Sequence, residues 1–337
     1  MTFPPLPAQS PEPPPALTGQ HGAPAELTVI IVSYNTCALT LACLETLFAA
    51  THEARAHVVV FDNASSDGSA RAVAEKFPQV ELIESHENLG FARANNIVAE
   101  AAQTEWLLLL NPDTEVHDGA IDRLLAFAKA RPEAGITGGR TVFPDGSLNA
   151  ASCWMRITPW SAFCMATGLT AAFRGSELFN PEGMGSWQRD SVREIDIVVG
   201  CLLMIRRTLW RELDGFNLKY FMYGEEADLC LRVKAMGYRP VITPEAQIMH
   251  IVGAASARRA DKAVMMARAR ATLIRDHWPR WQIPFGLALL WLWAALRRMG
   301  TVVLALTGQE HAREAADRWR MIWARRNEWL AGYKETV

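Results

Sequence analysis

The sequence predicts an α/β protein built on a doubly wound, mostly parallel sheet with a C-terminal helical extension, and three observations point there. From Leu27 onward, short and nearly unbroken apolar runs alternate with amphipathic stretches; small polar clusters follow several of the runs; and residues 257–337 change in kind, to long Ala-, Arg- and Trp-rich segments. Strands of a parallel sheet are covered by helices on both faces, so they read as continuous apolar runs rather than as an alternation.

The elements follow in order. Leu27 to Val32 is a first strand and residues 37–50, apolar at helical spacing, a first helix. Ala56 to Asp62, Val80 to Glu84 and Glu105 to Leu110 repeat the strand pattern, separated by helices over Ser69–Phe77 and Gly90–Ala102. Beyond Gly138 the pattern loosens, and residues 144–194, rich in Gly, Pro, Ser and Trp, read as loops with short elements. Order returns with Ile195 to Ile205 as one strand, helices at 207–213 and from Glu225, and a short strand over Arg239–Thr243. A helix over Ala257–Trp278 and an apolar segment over Ile283–Leu306 complete the pattern.

Composition narrows the function. A formal net charge of -2 over 337 residues leaves no basic footprint, so nucleic acid is not an expected partner. Six scattered cysteines without a CxxC pair read as buried thiols in a reducing cytoplasm rather than a zinc site or a disulfide framework. Residues 1–26 hold eight prolines, no basic start and no long apolar run, and read as a disordered leader rather than a secretory signal.

Ligands of open parallel sheets bind outside the strands' carboxyl ends, so Ser33-Tyr34-Asn35, the loop from Asp62 to Gly68, and Asn111-Pro112-Asp113 are expected to converge on one crevice. The Asp62 loop offers side-chain acceptors suited to a base and ribose; it also suits a plain turn in which Asp67 and Ser69 cap a helix. Asp113, at the exit of a fully apolar strand, can reach a hard cation that bridges phosphates, or can cap a helix instead. Gly224-Glu225-Glu226-Ala227-Asp228 gathers three carboxylates ahead of Arg232. Repulsion between them can raise one pKa toward the work of a general base, assigned to Glu226, whereas helix N-termini favour acids in any case and Asp228 with Arg232 can form a surface i,i+4 pair. His250 is either a metal or diphosphate ligand or a structural histidine.

In order, these pieces resemble the family 2 glycosyltransferases of the GT-A fold, particularly the bacterial rhamnosyltransferase-like branch, over roughly residues 27–275. The resemblance is carried by Val29-Ile30-Ile31-Val32-Ser33-Tyr34-Asn35, Val60 to Gly68, Glu87-Asn88-Leu89-Gly90-Phe91-Ala92-Arg93-Ala94-Asn95-Asn96, Leu109 to Asp113, Gly200, Asp214-Gly215-Phe216, Phe221 to Arg232, and His250 with Gly253 and Ser256. It implies a catalytic domain over 27–256 and an inverting transfer from a dTDP-, UDP- or GDP-sugar, dTDP-rhamnose being favoured by the branch. The acceptor implied is a glycan or lipid-linked hydroxyl in cell-surface polysaccharide assembly. The donor would meet Ser33, Tyr34, Asn35, Asp62 at the base, Asn63, Ser65, Asp67 near ribose or diphosphate, Asn88, Gly90, Phe91, Asn95 and Asn111. Asp113 and His250 would hold a divalent metal, Mg2+ or Mn2+. Two departures stand out: Asn111 occupies the place of a first Asp in the metal motif, and Glu225-Glu226 replaces the usual Glu-Asp, so that Glu225 is the alternative base to Glu226.

The tail suits a membrane surface. Arg297-Arg298 interrupts the apolar run, so an unbroken span of about 20 residues is missing. Trp278, Trp281, Trp291 and Trp293 beside Arg275, Arg280, Arg297 and Arg298 fit a helix lying peripherally on the cytoplasmic face of the inner membrane. The alternatives are packing on the catalytic domain, a homodimer interface, or a crossing. A dinucleotide oxidoreductase is disfavoured because no GxGxxG follows the first strand, and Walker A is absent; a non-catalytic sugar-nucleotide binding protein on the same fold is the second reading.

Overall fold

The computed structural model describes residues 24–251, 259–307 and 309–334. Nearly all of the expected leader, and Gly253 and Ser256, lie outside the described residues. The strand-helix series opens as β1 Leu27–Ser33, α1 Cys37–Ala50, β2 Ala56–Asp62, α2 Ser69–Lys76, β3 Glu81–Glu84, α3 Gly90–Ala101 and β4 Trp106–Leu110. It continues with β5 Thr114–Val116, α4 Ala120–Ala130, β6 Ile136–Val142, β7 Cys153–Trp154, α5 Pro159–Thr167 and α6 Leu169–Ala172. Then come β8 Arg193–Glu194, β9 Ile197–Val198, β10 Leu202–Arg206, α7 Arg207–Glu212, α8 Glu225–Ala235 and β11 Val241–His250. Four helices end the chain: α9 Arg259–His277, α10 Ile283–Ala305, α11 Glu310–Ala324 and α12 Arg326–Ala331.

The main sheet runs β3-β2-β1-β4-β10-β6-β11-β5, with β8 on β11. Strands β3, β2, β1 and β4 are parallel, in a register that sets Ser33 opposite Asp62 and Asp62 opposite Glu84. β10 is antiparallel to β4 and β6, and β5 to β11, so the carboxyl ends of β1, β2, β4, β6 and β11 meet on one edge, beside the start of β10. Successive side chains of a strand point to opposite faces. Accordingly Ile30, Leu107 and Leu109 join one core while Val29, Ile31 and Leu108 join the core on the other side.

Two expected strands differ. Ile195–Ile205 is split between two strands, β9 and β10, because Val199 N–H donates to Ser152 O (3.1 Å) and the chain leaves its pairing with β7 before Leu202 pairs with Leu110. An apolar run buried round a corner carries the same composition as a straight strand. The strand expected over Arg239–Thr243 continues to His250 past a register shift between Ile242 and Gln247. There Ala246 O approaches β6 so closely that a Cβ on Gly139 would sit 2.0 Å from it, which is why glycine stands at this position.

The tail packs around Val264, Ala267, Ala271, Leu290, Ala294, Ile322 and Trp329. The arginine pair that interrupts the apolar run does not interrupt the helix α10. Arg297 donates back to the carbonyls of Met165 (3.0 Å) and Ala166 (3.4 Å) on α5, and the helix runs unbroken for 23 residues. By length and composition it is long and apolar enough to cross a membrane, with 22% of its most apolar window buried.

Candidate active site

The polar loops anticipated from sequence do gather at the carboxyl edge of the sheet. Tyr34 and Asn35 are exposed at the end of β1, whereas Ser33 turns inward and shares its hydroxyl with Thr36 and Thr40, each at 3.0 Å. Asn35 adopts φ 52°, in the left-handed region that Asn tolerates. From there its N–H donates to Ser65 Oγ (2.9 Å) and its Oδ1 accepts from Ser66 N–H (2.7 Å). Asp67 accepts from the N–H groups of Cys37 (2.9 Å) and Ser69 (3.1 Å), and these bonds with the Ser69 hydroxyl hold its carboxyl below the usual range although burial opposes them. Both Asp67 oxygens are therefore engaged, Oδ2 tying the first two loops together and Oδ1 closing its own loop onto Ser69.

Asp62 is different. Its Oδ1 accepts from Ser65 N–H (2.8 Å), but Oδ2 is buried without a partner. A buried acceptor left unbonded costs about 1–3 kcal/mol, so this position fits a donor group brought by a ligand. Asn63, also buried, donates to Asn88 Oδ1 (3.0 Å) and accepts from Leu89 N–H (2.7 Å); Asn88 in turn accepts from Gly90 N–H (2.9 Å). These bonds fix the start of α3, where Gly90 has φ 78° and a Cβ would meet Phe221 O at 2.9 Å. Asn95 lies one turn along, its Nδ2 donating to Phe91 O (2.9 Å) and its Oδ1 buried and unpaired.

Asn111-Pro112-Asp113 joins β4 directly to β5, so Asp113 caps no helix. Asn111 N–H donates to Cys201 O (3.3 Å), Thr114 Oγ1 donates to Asn111 O (2.7 Å), and Ile251 N–H donates to Asp113 O (2.9 Å). Thr114 and His250 are paired across β5 and β11, which brings Asp113 Oδ1 within 3.2 Å of His250 Nε2. Burial alone would lower the His250 pKa, but Asp113 and the Cys201 thiol raise it to about 10. Among the described residues no three His, Cys, Asp or Glu side chains cluster as a metal cage. A cation held here would take the Asp113 carboxylate, and His250 only after giving up the proton it shares with Asp113, with phosphate oxygens and water able to complete the set.

The two adjacent glutamates part company. A Cβ on Gly200 would lie 3.3 Å from the Phe91 ring and 4.0 Å from Glu226 Cβ, so Glu226 stands beside the loop that leads into Cys201 and Asn111. Glu225 is buried and its Oε2 has no partner. Burial raises both carboxyls, and the neighbouring Glu226 pushes Glu225 further, well above the usual range. Asp228 is buried and its pair with Arg232 is half-buried, not the surface pair expected. Arg232 Nε–H donates to Asp228 Oδ2 (2.8 Å) and His277 Nε2 lies 2.9 Å from Oδ1. Burial would raise the Asp228 carboxyl, and these two partners bring it below its ordinary value.

Sequence reasoning missed the brace behind these acids. Tyr220 donates to Asp276 Oδ2 (3.1 Å), Tyr333 donates to Met222 O (2.6 Å), and His277 meets Asp228, so the tail holds the loop that presents Glu225 and Glu226. Partners 49 to 111 residues apart leave no local signal in the sequence. A protonated Glu225 gives an expected outcome for stability. Because the folded state keeps the proton that the unfolded chain releases, stability falls as pH rises from the ordinary glutamate pKa toward the raised one, by about 1.4 kcal/mol per pH unit. Denaturant unfolding of Glu225→Gln between pH 5 and 8 is expected to lose this slope; an unchanged slope would contradict a neutral Glu225.

The family model for glycosyl transferase family 2 matches residues 28–196. The chain belongs to glycosyl transferase family 2. Among curated relatives of this glycosyltransferase is the N-acetylglucosaminyl-diphospho-decaprenol L-rhamnosyltransferase of Mycobacterium tuberculosis. It is 29% identical over 242 residues, covering 66% of this chain and 75% of that one. The O-antigen biosynthesis protein RfbC of Myxococcus xanthus is 27% identical over 246 residues, covering 72% of this chain but 18% of that protein. The GT-A fold is shared with the mannosyltransferase PcManGT from Pyrobaculum calidifontis, solved with GDP-Man and Mn2+. The TM-score is 0.55 at 20% identity, over 90% of this chain and 87% of that one.

Proposed function

We propose that this glycosyltransferase inverts the anomeric centre as it moves a sugar from a nucleotide diphosphate to a hydroxyl of a glycan or lipid-linked acceptor in cell-surface polysaccharide assembly. The observation that carries the reading is the approach of Glu226 to Gly200, next in sequence to Cys201, whose carbonyl holds Asn111 two residues before Asp113. This chain of contacts supports a reading in which the proton acceptor and the cation ligands serve one site at this edge of the sheet.

In this mechanism Glu226 takes the proton of the acceptor hydroxyl as its oxygen bonds to the anomeric carbon and the bond to the diphosphate oxygen breaks, so no covalent enzyme intermediate forms. Asp62 accepts from the base through its unpartnered oxygen, and the Tyr34-Asn35 and Asn88 to Phe91 loops flank the nucleotide. Asp113 and His250 would hold the divalent metal, which when bound would neutralise charge on the departing diphosphate. Residues 27–256 form the catalytic unit in this reading. Residues 257–337 attach it peripherally to the cytoplasmic face of the inner membrane, where a lipid-linked acceptor is presented.

The name of the Mycobacterium tuberculosis relative favours L-rhamnose as the sugar, and dTDP-rhamnose is the donor proposed with it. Release of nucleotide diphosphate from dTDP-, UDP- and GDP-sugars, with Mg2+ or Mn2+ and a lipid-linked acceptor extract, is expected to single out one donor, dTDP-rhamnose first. Binding of a donor without release from any would favour a non-catalytic sugar-nucleotide protein.

A further inference from the structure

Charge is unevenly distributed along the chain. Residues 257–337 carry 15 Lys and Arg against 7 Asp and Glu, while residues 1–256 carry 19 against 29. Two stretches hold no acidic residue at all: 277–309, which contains α10, and 146–176, which contains α5 and α6. They are far apart in sequence and packed on one another, through Ala162 and Ala166 of α5 against Leu289 of α10 and the Arg297 bonds to α5 carbonyls.

Both stretches also leave large apolar side chains in water. On α10 the exposed residues Phe285, Trp291, Leu296, Met299, Val303 and Leu306 recur at helical spacing, and Arg297 is turned away from them toward α5. On the α5–α6 hairpin Trp160, Phe163 and Phe173 are exposed, as is Leu178, just beyond that stretch, at 62%. They form one patch: Trp160 stacks on Phe163 (5.7 Å), Phe179 lies beneath Trp160 and Phe173, and Trp160 Nε1–H holds Leu178 O (2.6 Å). A contiguous exposed apolar surface marks an interaction site. Its surroundings are cationic, with Arg156 and Arg174 flanking the hairpin and Arg280 and Arg298 on the α10 stretch. Glu177, the acid next to Leu178, is paired with Arg193 (3.0 Å), so aromatic tips, an aliphatic ridge and an excess of arginine remain for an anionic bilayer surface to complement.

We propose that the α5–α6 aromatic hairpin is a second membrane-inserting element, which with the exposed stripe of α10 forms one surface docking on anionic lipid. The inference rests on the membrane reading above and adds a contact from within the catalytic unit. With two points of insertion the orientation of the active-site edge relative to the bilayer is fixed, where a single helix would leave it free to swivel.

The test uses the full chain with vesicles of phosphatidylcholine alone or mixed with phosphatidylglycerol. An environment-sensitive nitrobenzoxadiazole label is placed by Leu178→Cys in a Cys37→Ser background, the other five cysteines being buried. Phosphatidylglycerol vesicles are expected to brighten and blue-shift the label. Phe163→Ser with Phe173→Ser is expected to weaken vesicle partitioning about tenfold or more, with thermal unfolding and donor binding unchanged. Wild-type binding with a silent label and an unaffected double variant would overturn the hairpin proposal and leave the membrane reading standing. Failure of the wild type to bind phosphatidylglycerol vesicles would overturn both.

Discussion

Glu226→Gln is expected to lower sugar transfer about 10³-fold while leaving donor affinity within a few fold of wild type. The amide keeps the shape of the side chain but accepts no proton, so the loss falls on turnover rather than on binding. Burial raises the Glu226 carboxyl, and the group must be ionised to act. Turnover therefore climbs with pH along a limb displaced upward from that of an ordinary glutamate, and the variant lacks the limb. Glu225→Gln provides the contrast: a buried carboxyl that already carries its proton loses little on becoming an amide, and turnover stays close to wild type. Steady-state rates for the two variants between pH 5 and 9 decide between them. A dead Glu225→Gln beside an active Glu226→Gln would exchange their roles.

Asp113→Ala is expected to reduce turnover by about 10²–10³-fold and to shift the response to Mg2+ or Mn2+ to higher concentration. Asp113 is the carboxylate of the proposed cation pair, and His250, 3.2 Å away, is left alone by its removal. Asn111 presents an amide rather than a second carboxylate, so no neighbour compensates. Metal titration of turnover, with EDTA as the zero point, is the measurement. Wild-type activity in the variant at low metal would remove Asp113 from the ligand set.

Most of the parallel half of the sheet was legible because burial on both faces leaves an unambiguous apolar run; β1, β2 and β4 begin or end within a residue of where composition puts them. The segment from Ile195 to Ile205 was not, since its corner depends on Ser152 holding Val199 from a distant loop. Likewise, Arg297 and Arg298 read as a break from composition alone, whereas the folded chain hides Arg297 on α5 carbonyls. At the site, local motifs were readable as chemistry: Asn111 to Asp113, Glu225-Glu226, the Asp62 loop. What sequence could not supply was the division of labour within them. Asp67 spends its oxygens on two loops while Asp62 keeps one free, and Glu225 is buried while Glu226 stands beside Gly200. Those distinctions arise from long-range packing, as does the brace of Tyr220, His277 and Tyr333 by which the tail supports the acidic loop.

Metal-dependent transfer of a sugar from a nucleotide diphosphate to an acceptor hydroxyl leaves a mass signature on the acceptor. Mass spectrometry of a lipid-diphosphate-linked glycan acceptor, incubated with the purified chain, dTDP-rhamnose and Mg2+ or Mn2+, tests it most directly. The predicted result is an acceptor heavier by one sugar residue, matched one to one by released nucleotide diphosphate and abolished by EDTA. An acceptor left unmodified with every dTDP-, UDP- and GDP-sugar, by a chain that binds the donor, would contradict it.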